Sequence, residues 1–168
     1  MEIFVFEIKD YDHILQEELK QWQKKEISDP QKLREHCLAY YLAEKTAGEY
    51  YGFEDCKIIY KGKKPVLKNG GKEFSISHSK EFIAFAFSDS PCGIDIEKMT
   101  ERDFLNIAKR MKFECHNLET FYKIWTKYEA QYKLGKPAQS EFYTTIKNYA
   151  LTAVSANKDE GFKILGAC

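Results

Sequence analysis

The chain has 168 residues, 26 Lys+Arg against 26 Asp+Glu, and is 43% hydrophobic and 31% charged. That is enough for one domain with a real core, or two tightly packed halves, and the zero net charge excludes a global field recruiting nucleic acid or an anionic membrane. No apolar run approaches a membrane span, "MEIFVFEIKDYDH" is too acidic and alternating for a signal peptide, and the scattered Cys37, Cys56, Cys92, Cys115 and Cys168 fit neither a disulfide framework nor a zinc site. The expectation is a cytoplasmic protein with reduced thiols that serve as small buried hydrophobes.

"EIFVFEI" (Glu2–Ile8) predicts a strand, and "DYDHILQEELKQWQKK" (Asp10–Lys25) a helix with Ile14, Leu15, Leu19 and Trp22 on one side. A second helix is expected over Ser28–Gly52, with Asp29 as N-cap and Pro30 at its first position. "KIIYKG" predicts a short strand and "KKPVLKNGG" (Lys63–Gly71) a turn-rich connection. Three strands follow in "KEFSIS", "EFIAFAFS" and "CGIDIE", separated by the turns "HSK" and "DSP". The middle one, apolar on both faces, belongs in the interior of its sheet.

A helix over Thr100–Met111 opens with Thr100 and Asp103 in a capping-box arrangement. A longer one over Asn117–Leu134 stops at Gly135, with Pro137 just beyond. "SEFYTTIKN", "YALTAVSA" and "GFKILGA" read as strands, the last two joined across "NKDE". Hairpins mixed with helices make the class α+β.

Four features in this frame carry chemistry. "GIDIE" (Gly93–Glu97) puts Asp95 and Glu97 at i and i+2 of a strand, hence on one face. Like charges that close are costly unless water or a cation lies between them. "FSISHS" (Phe74–Ser79) puts His78 just past a strand end, flanked by two hydroxyls, and "KGKKP" (Lys61–Pro65) is a basic turn. "WTKYEAQYK" places Trp125, Glu129 and Lys133 at steps of four along one helical face. Singly, each has an ordinary structural explanation: a solvated edge, a local hydrogen-bonded turn, a wet loop, a core Trp and a surface ion pair worth a few tenths of a kcal/mol.

In this order and spacing the features resemble the 4′-phosphopantetheinyl transferases, specifically the monomeric, surfactin-synthetase-activating type. That family carries Gly-Lys-Pro, Phe-Asn-(Ile/Leu)-Ser-His-Ser, Gly-(Ile/Val)-Asp-(Ile/Val)-Glu and Trp-x-x-Lys-Glu-(Ala/Ser)-x-x-x-Lys. "IAKRM" (Ile107–Met111) and "YALTAVS" (Tyr149–Ser155) are similar to it as well, so the resemblance runs from about residue 60 to 155.

The resemblance implies a pseudo-twofold fold of two similar α/β halves, about 1–90 and 91–168, with active residues at their junction. It implies transfer of 4′-phosphopantetheine from coenzyme A to a serine of an apo acyl or peptidyl carrier protein by a monomer, holo-carrier-protein synthase chemistry that leaves adenosine 3′,5′-bisphosphate. Asp95, Glu97 and Glu129 would be Mg²⁺ ligands; Lys64, Ser77, His78 and Lys133 would contact coenzyme A. Glu129 would be the base, and Lys133 would offset charge on the leaving group.

Three positions depart from the family pattern. Ser75 replaces Asn, Lys63 replaces Gly, and Tyr128 replaces the Lys before the motif's Glu. Lys127, one residue earlier, lies about 100° round the helix and is no substitute. Lys32, Arg34 and Lys45 remain alternatives for the coenzyme's 3′-phosphate. A carrier-protein or coenzyme A binding module without turnover and a metal-dependent phosphohydrolase are the competing functional classes.

Overall fold

The computed structural model describes residues 1–68, 70–101 and 104–166. In chain order its elements are β1 (Glu2–Glu7), α1 (Gln16–Leu19), α2 (Pro30–Tyr51), β2 (Ile58–Lys61), β3 (Lys64–Leu67), β4 (Glu73–Ser79), β5 (Phe82–Ser88), β6 (Cys92–Lys98), α3 (Phe104–Met111), α4 (Leu118–Leu134), β7 (Ser140–Ile146), β8 (Tyr149–Ser155) and β9 (Lys163–Leu165). The class is α+β, as expected. The capping box ending at Asp103 lies outside the described residues, as does Cys168.

A four-stranded sheet has the order β4-β5-β1-β9 and a three-stranded sheet the order β6-β8-β7; β2 and β3 form a separate hairpin. β5 is buried at every position and interior in its sheet, in keeping with its unbroken apolar run. Ile83, Phe85 and Phe87 point to the core under α2, while Phe82, Ala84 and Ala86 point to the core between the sheets. Ile94 and Ile96 of β6 and Leu151 and Ala153 of β8 close that second core from the other side. The layers are therefore helix, sheet, sheet, helix.

Both sheets are built alike. In each, a first strand (β1 or β6) is followed by a long helix (α2 or α4) and then by an antiparallel pair. The last strand of that pair lies beside the first strand, giving β1-β5-β4 and β6-β8-β7.

The long helices begin and end as their sequences dictate. Asp29 accepts hydrogen bonds from the Gln31 and Lys32 N–H groups, and α2 ends at Gly52 with φ 69°. Asn117 caps α4 through the Thr120 N–H, and Gly135 ends it with φ 75°.

Gly93 sets the distance between α4 and β6. A Cβ there would lie 2.0 Å from the Ala130 carbonyl oxygen, so only glycine lets the helix backbone come this close.

Four expectations are corrected. The turn expected at "HSK" starts later, because His78 and Ser79 continue β4 and pair with Ile83 and Phe82 of β5. The segment 10–25 is not one helix; it is the four-residue α1 between 3₁₀ turns at Ile8–Tyr11 and Lys20–Trp22. The Arg34 guanidinium donates to the carbonyls of Ile14 (2.8 Å) and Tyr11 (2.9 Å), taking acceptors that a continuous helix would use. "KKPVLKNGG" is not only a connection, because Lys64–Leu67 pairs with Ile58–Lys61 across a turn at Gly62 and Lys63. Lastly, β9 does not stay with β8: it crosses to the other sheet and runs parallel to β1.

Candidate functional site

β4 and β6 are edge strands of different sheets, and serine side chains join them. Ser75, Ser77 and Ser79 alternate along β4, so all three face β6. Ser75 Oγ accepts from the Ile94 N–H (3.0 Å), and Ser77 Oγ donates to Asp95 Oδ1 (2.8 Å). Ser79 Oγ donates to Glu97 Oε2 (3.0 Å) and accepts from the Lys98 N–H (3.1 Å). Ser75, which stands where the resemblance implies Asn, thus has a backbone partner of its own. The intervening His78 points the other way, toward α2, where its Nδ1 lies 3.4 Å from Glu35 Oε2.

Asp95 is buried, with 4% of its surface exposed. Its Oδ1 also accepts from Lys133 Nζ at 2.8 Å, and the same ammonium donates to the Ile94 carbonyl at 3.0 Å. Its Oδ2 is buried and has no hydrogen-bond partner among the described residues. Glu129, one turn before Lys133 on α4, has its carboxyl pushed above the usual range, first by burial and then by the Asp95 charge, with Lys133 acting in the opposite sense. A buried carboxylate oxygen without a hydrogen-bond partner among the described residues, with a second carboxylate close enough for its charge to be felt, offers two hard oxygen donors of the kind a divalent cation takes. Among the described residues, no three His, Cys, Asp or Glu side chains are gathered into a closed ligand set. Glu97 lies two residues along β6, bound to Ser79.

Beside Asp95 opens a cleft of about 560 Å³. Among the described residues lining it, five are lysines (Lys25, Lys61, Lys63, Lys64 and Lys133), and none is acidic. Ser77 and His78 line it as well, so all four residues expected to contact coenzyme A share one cavity. Lys64 also pairs with Glu73 Oε2 at 3.2 Å. A wall with this many lysines favours negative charge over positive.

Sequence reading had singled out "KGKKP" but missed Lys25, His36, Tyr40 and Tyr60, which also line the cleft. The Tyr40 and Tyr60 hydroxyls share a hydrogen bond of 2.5 Å, which ties α2 to the β2–β3 hairpin. Nothing local marks these four residues, since they converge from three separate segments. Arg34 is committed to backbone carbonyls, and Lys45 lines a different groove, between β1 and α2; neither lines the cleft, nor does Lys32. Lys127 pairs with Glu141 of β7. Tyr128 is 43% exposed and packs on Phe113 and Trp125.

His36 yields a pH prediction. Its imidazole pKa is lowered to about 4, chiefly by burial and then by the nearby Lys25, His78 and Lys24. Below pH ~6.5 the unfolded chain takes up a proton that the folded protein refuses, so stability is lost as pH falls from about 6.5 toward 4. Denaturant unfolding should show a loss of about 2–3 kcal/mol from this group between pH 7 and pH 4.5. His36→Gln should flatten that part of the profile.

Among the described residues, no helix is long and apolar enough to cross a membrane. No protein-family model matches the chain. The chain is similar to the 4′-phosphopantetheinyl transferase gsp of Aneurinibacillus migulanus, at 35% identity over 75 residues, which is 38% of this chain. The match spans about 31% of that relative's length.

Proposed function

We propose that the protein transfers the 4′-phosphopantetheine group of coenzyme A to a serine of an apo acyl or peptidyl carrier protein. The observation that carries this reading is the cleft with five lysines and no acid among its described lining residues, one of which, Lys133, binds Asp95. Coenzyme A is a polyanion whose reacting pyrophosphate needs cations at one end of such a groove. The partial similarity to a protein of that name agrees with it. The shared connectivity of the sheets supports two halves, 1–90 and 91–168, related by a pseudo-twofold axis. On this reading the protein works as a cytoplasmic monomer.

Lys64, Ser77 and His78 hold the phosphates in the cleft. Asp95, Glu97 and Glu129 would hold Mg²⁺, which when bound supplies charge neutralisation at the pyrophosphate. The carrier serine oxygen attacks the phosphorus that bears pantetheine. Glu129 takes the serine proton, and the bond to adenosine 3′,5′-bisphosphate breaks. Lys133 offsets the charge on the leaving oxygen, where the need is largest in the transition state.

The test is intact-mass measurement of an apo carrier protein after incubation with the protein, coenzyme A and Mg²⁺. The carrier should gain one phosphopantetheine. Asp95→Asn, nearly isosteric, should keep the fold and lose most of the transfer at limiting Mg²⁺. If the carrier binds but its mass does not change, the protein is a docking module, the reading that Tyr128 in place of a Lys favours.

A further inference from the structure

The buried Asp95 carboxylate is neutralised by a cation of the protein's own. Lys133 Nζ sits 2.8 Å from Oδ1, anchored on its other side by the Ile94 carbonyl. Oδ2 of the same carboxylate has no hydrogen-bond partner among the described residues. Lys133 also lines the cleft, so a swing of its flexible four-carbon stem takes the ammonium from Asp95 to anything anionic bound there.

We propose that Lys133 is a built-in competitor for the divalent cation at Asp95, displaced when a phosphate group enters the cleft. The proposal deepens the transferase reading and rests on it only for the identity of the phosphate ligand. Three observations support it. A buried carboxylate needs a positive partner, and the ammonium provides one. A dication beside the same carboxylate would face the ammonium across a few ångströms of poorly screened space, and like charges that close exclude one another. Glu129, the second carboxylate that a dication would use, lies on the same helical face one turn before Lys133. A phosphate relieves the conflict by taking Lys133 away from Asp95, after which Asp95 and Glu129 together face the dication. Metal and phosphate ligand then bind with positive coupling, each tightening the other by the same factor. Lys133 thus has two positions, a guarding one on Asp95 and a working one on the phosphate.

A purely structural ion pair makes the opposite prediction. Its loss would lower stability and leave metal affinity alone. Mn²⁺ binding, followed by electron paramagnetic resonance at fixed pH, separates the two. Without coenzyme A, Lys133→Gln, which keeps a donor for Asp95 but no charge, should bind Mn²⁺ roughly tenfold tighter than wild type or better. With saturating coenzyme A the two proteins should converge. Adding Asp95→Asn to Lys133→Gln should erase the gain. Lys133→Met should behave like Lys133→Gln, and if it fails to fold, the Gln variant carries the test alone. Equal Mn²⁺ affinity of wild type and Lys133→Gln without coenzyme A overturns the proposal, whatever the transfer assay shows. Tighter Mn²⁺ binding by Lys133→Gln, with no phosphopantetheine transfer by the wild-type protein, supports the competition and overturns the transferase reading instead.

Discussion

Glu129→Gln should reduce phosphopantetheine transfer by roughly 10²–10⁴-fold, the usual cost of losing a general base. Gln keeps the shape and position of the side chain, so the fold and the cleft persist. The same change removes one of the carboxylates assigned to the metal, so the loss should deepen at low Mg²⁺. If Glu129 and Lys133 were only an i,i+4 pair on a helix surface, the change would cost at most about 0.5 kcal/mol of stability and nothing in rate. Their surroundings argue against that. Lys133 reaches across to a buried carboxylate on another element, and the Glu129 carboxyl is held above its ordinary range by burial and by Asp95. Initial rates by intact-mass measurement at two Mg²⁺ concentrations decide between them. A rate within a few-fold of wild type would return this helix to a structural role.

Gly93→Ala should destabilise the fold by about 3 kcal/mol or more, in the upper range for single substitutions. The added methyl would sit 2.0 Å from the Ala130 carbonyl oxygen, and it meets backbone on that side. A flexible side chain could rotate away; a helix backbone must be pushed off the sheet. That shift also moves Lys133 away from Asp95, because both lie on this same contact. Equilibrium unfolding in denaturant measures the stability. Mn²⁺ binding by the surviving folded fraction should stay below that of Lys133→Gln, since the shift carries Glu129 away from Asp95 together with the ammonium. An unchanged unfolding midpoint would mean that α4 is not seated on β6 as described.

Much of this was legible because it follows from short-range rules. A strand's period of two places Asp95 with Glu97 on one face, whereas Ser79 joins Ser75 and Ser77 facing β6 only because the strand runs on through "HS". Asp29, Pro30 and Gly52 mark the ends of α2 by chemistry that acts within a turn, as Asn117 and Gly135 do for α4. The segment from Asp10 to Lys25 failed for the complementary reason: its apolar spacing is helical, but Arg34, 20 residues from Ile14, captures the carbonyls that the helix needed. The last strand failed likewise. Its partner, β1, lies at the far end of the chain, where no local pattern points.

The cleft divides along the same line. Its residues in "KGKKP" and "SHS" stand out as short motifs, whereas Lys25, His36, Tyr40 and Tyr60 become neighbours only when α2 and the β2–β3 hairpin fold against each other. The amino-acid sequence alone determined the α+β class, the capped helices, the paired carboxylates on β6 and the helical row ending in Lys133, because each depends on contacts a few residues apart. Tertiary structure decided that Asp95 is buried, that one of its oxygens has no partner among the described residues, and that the cation on the other comes from a residue 38 positions away. That pairing depends on how closely α4 approaches β6, a distance set by the missing side chain of Gly93.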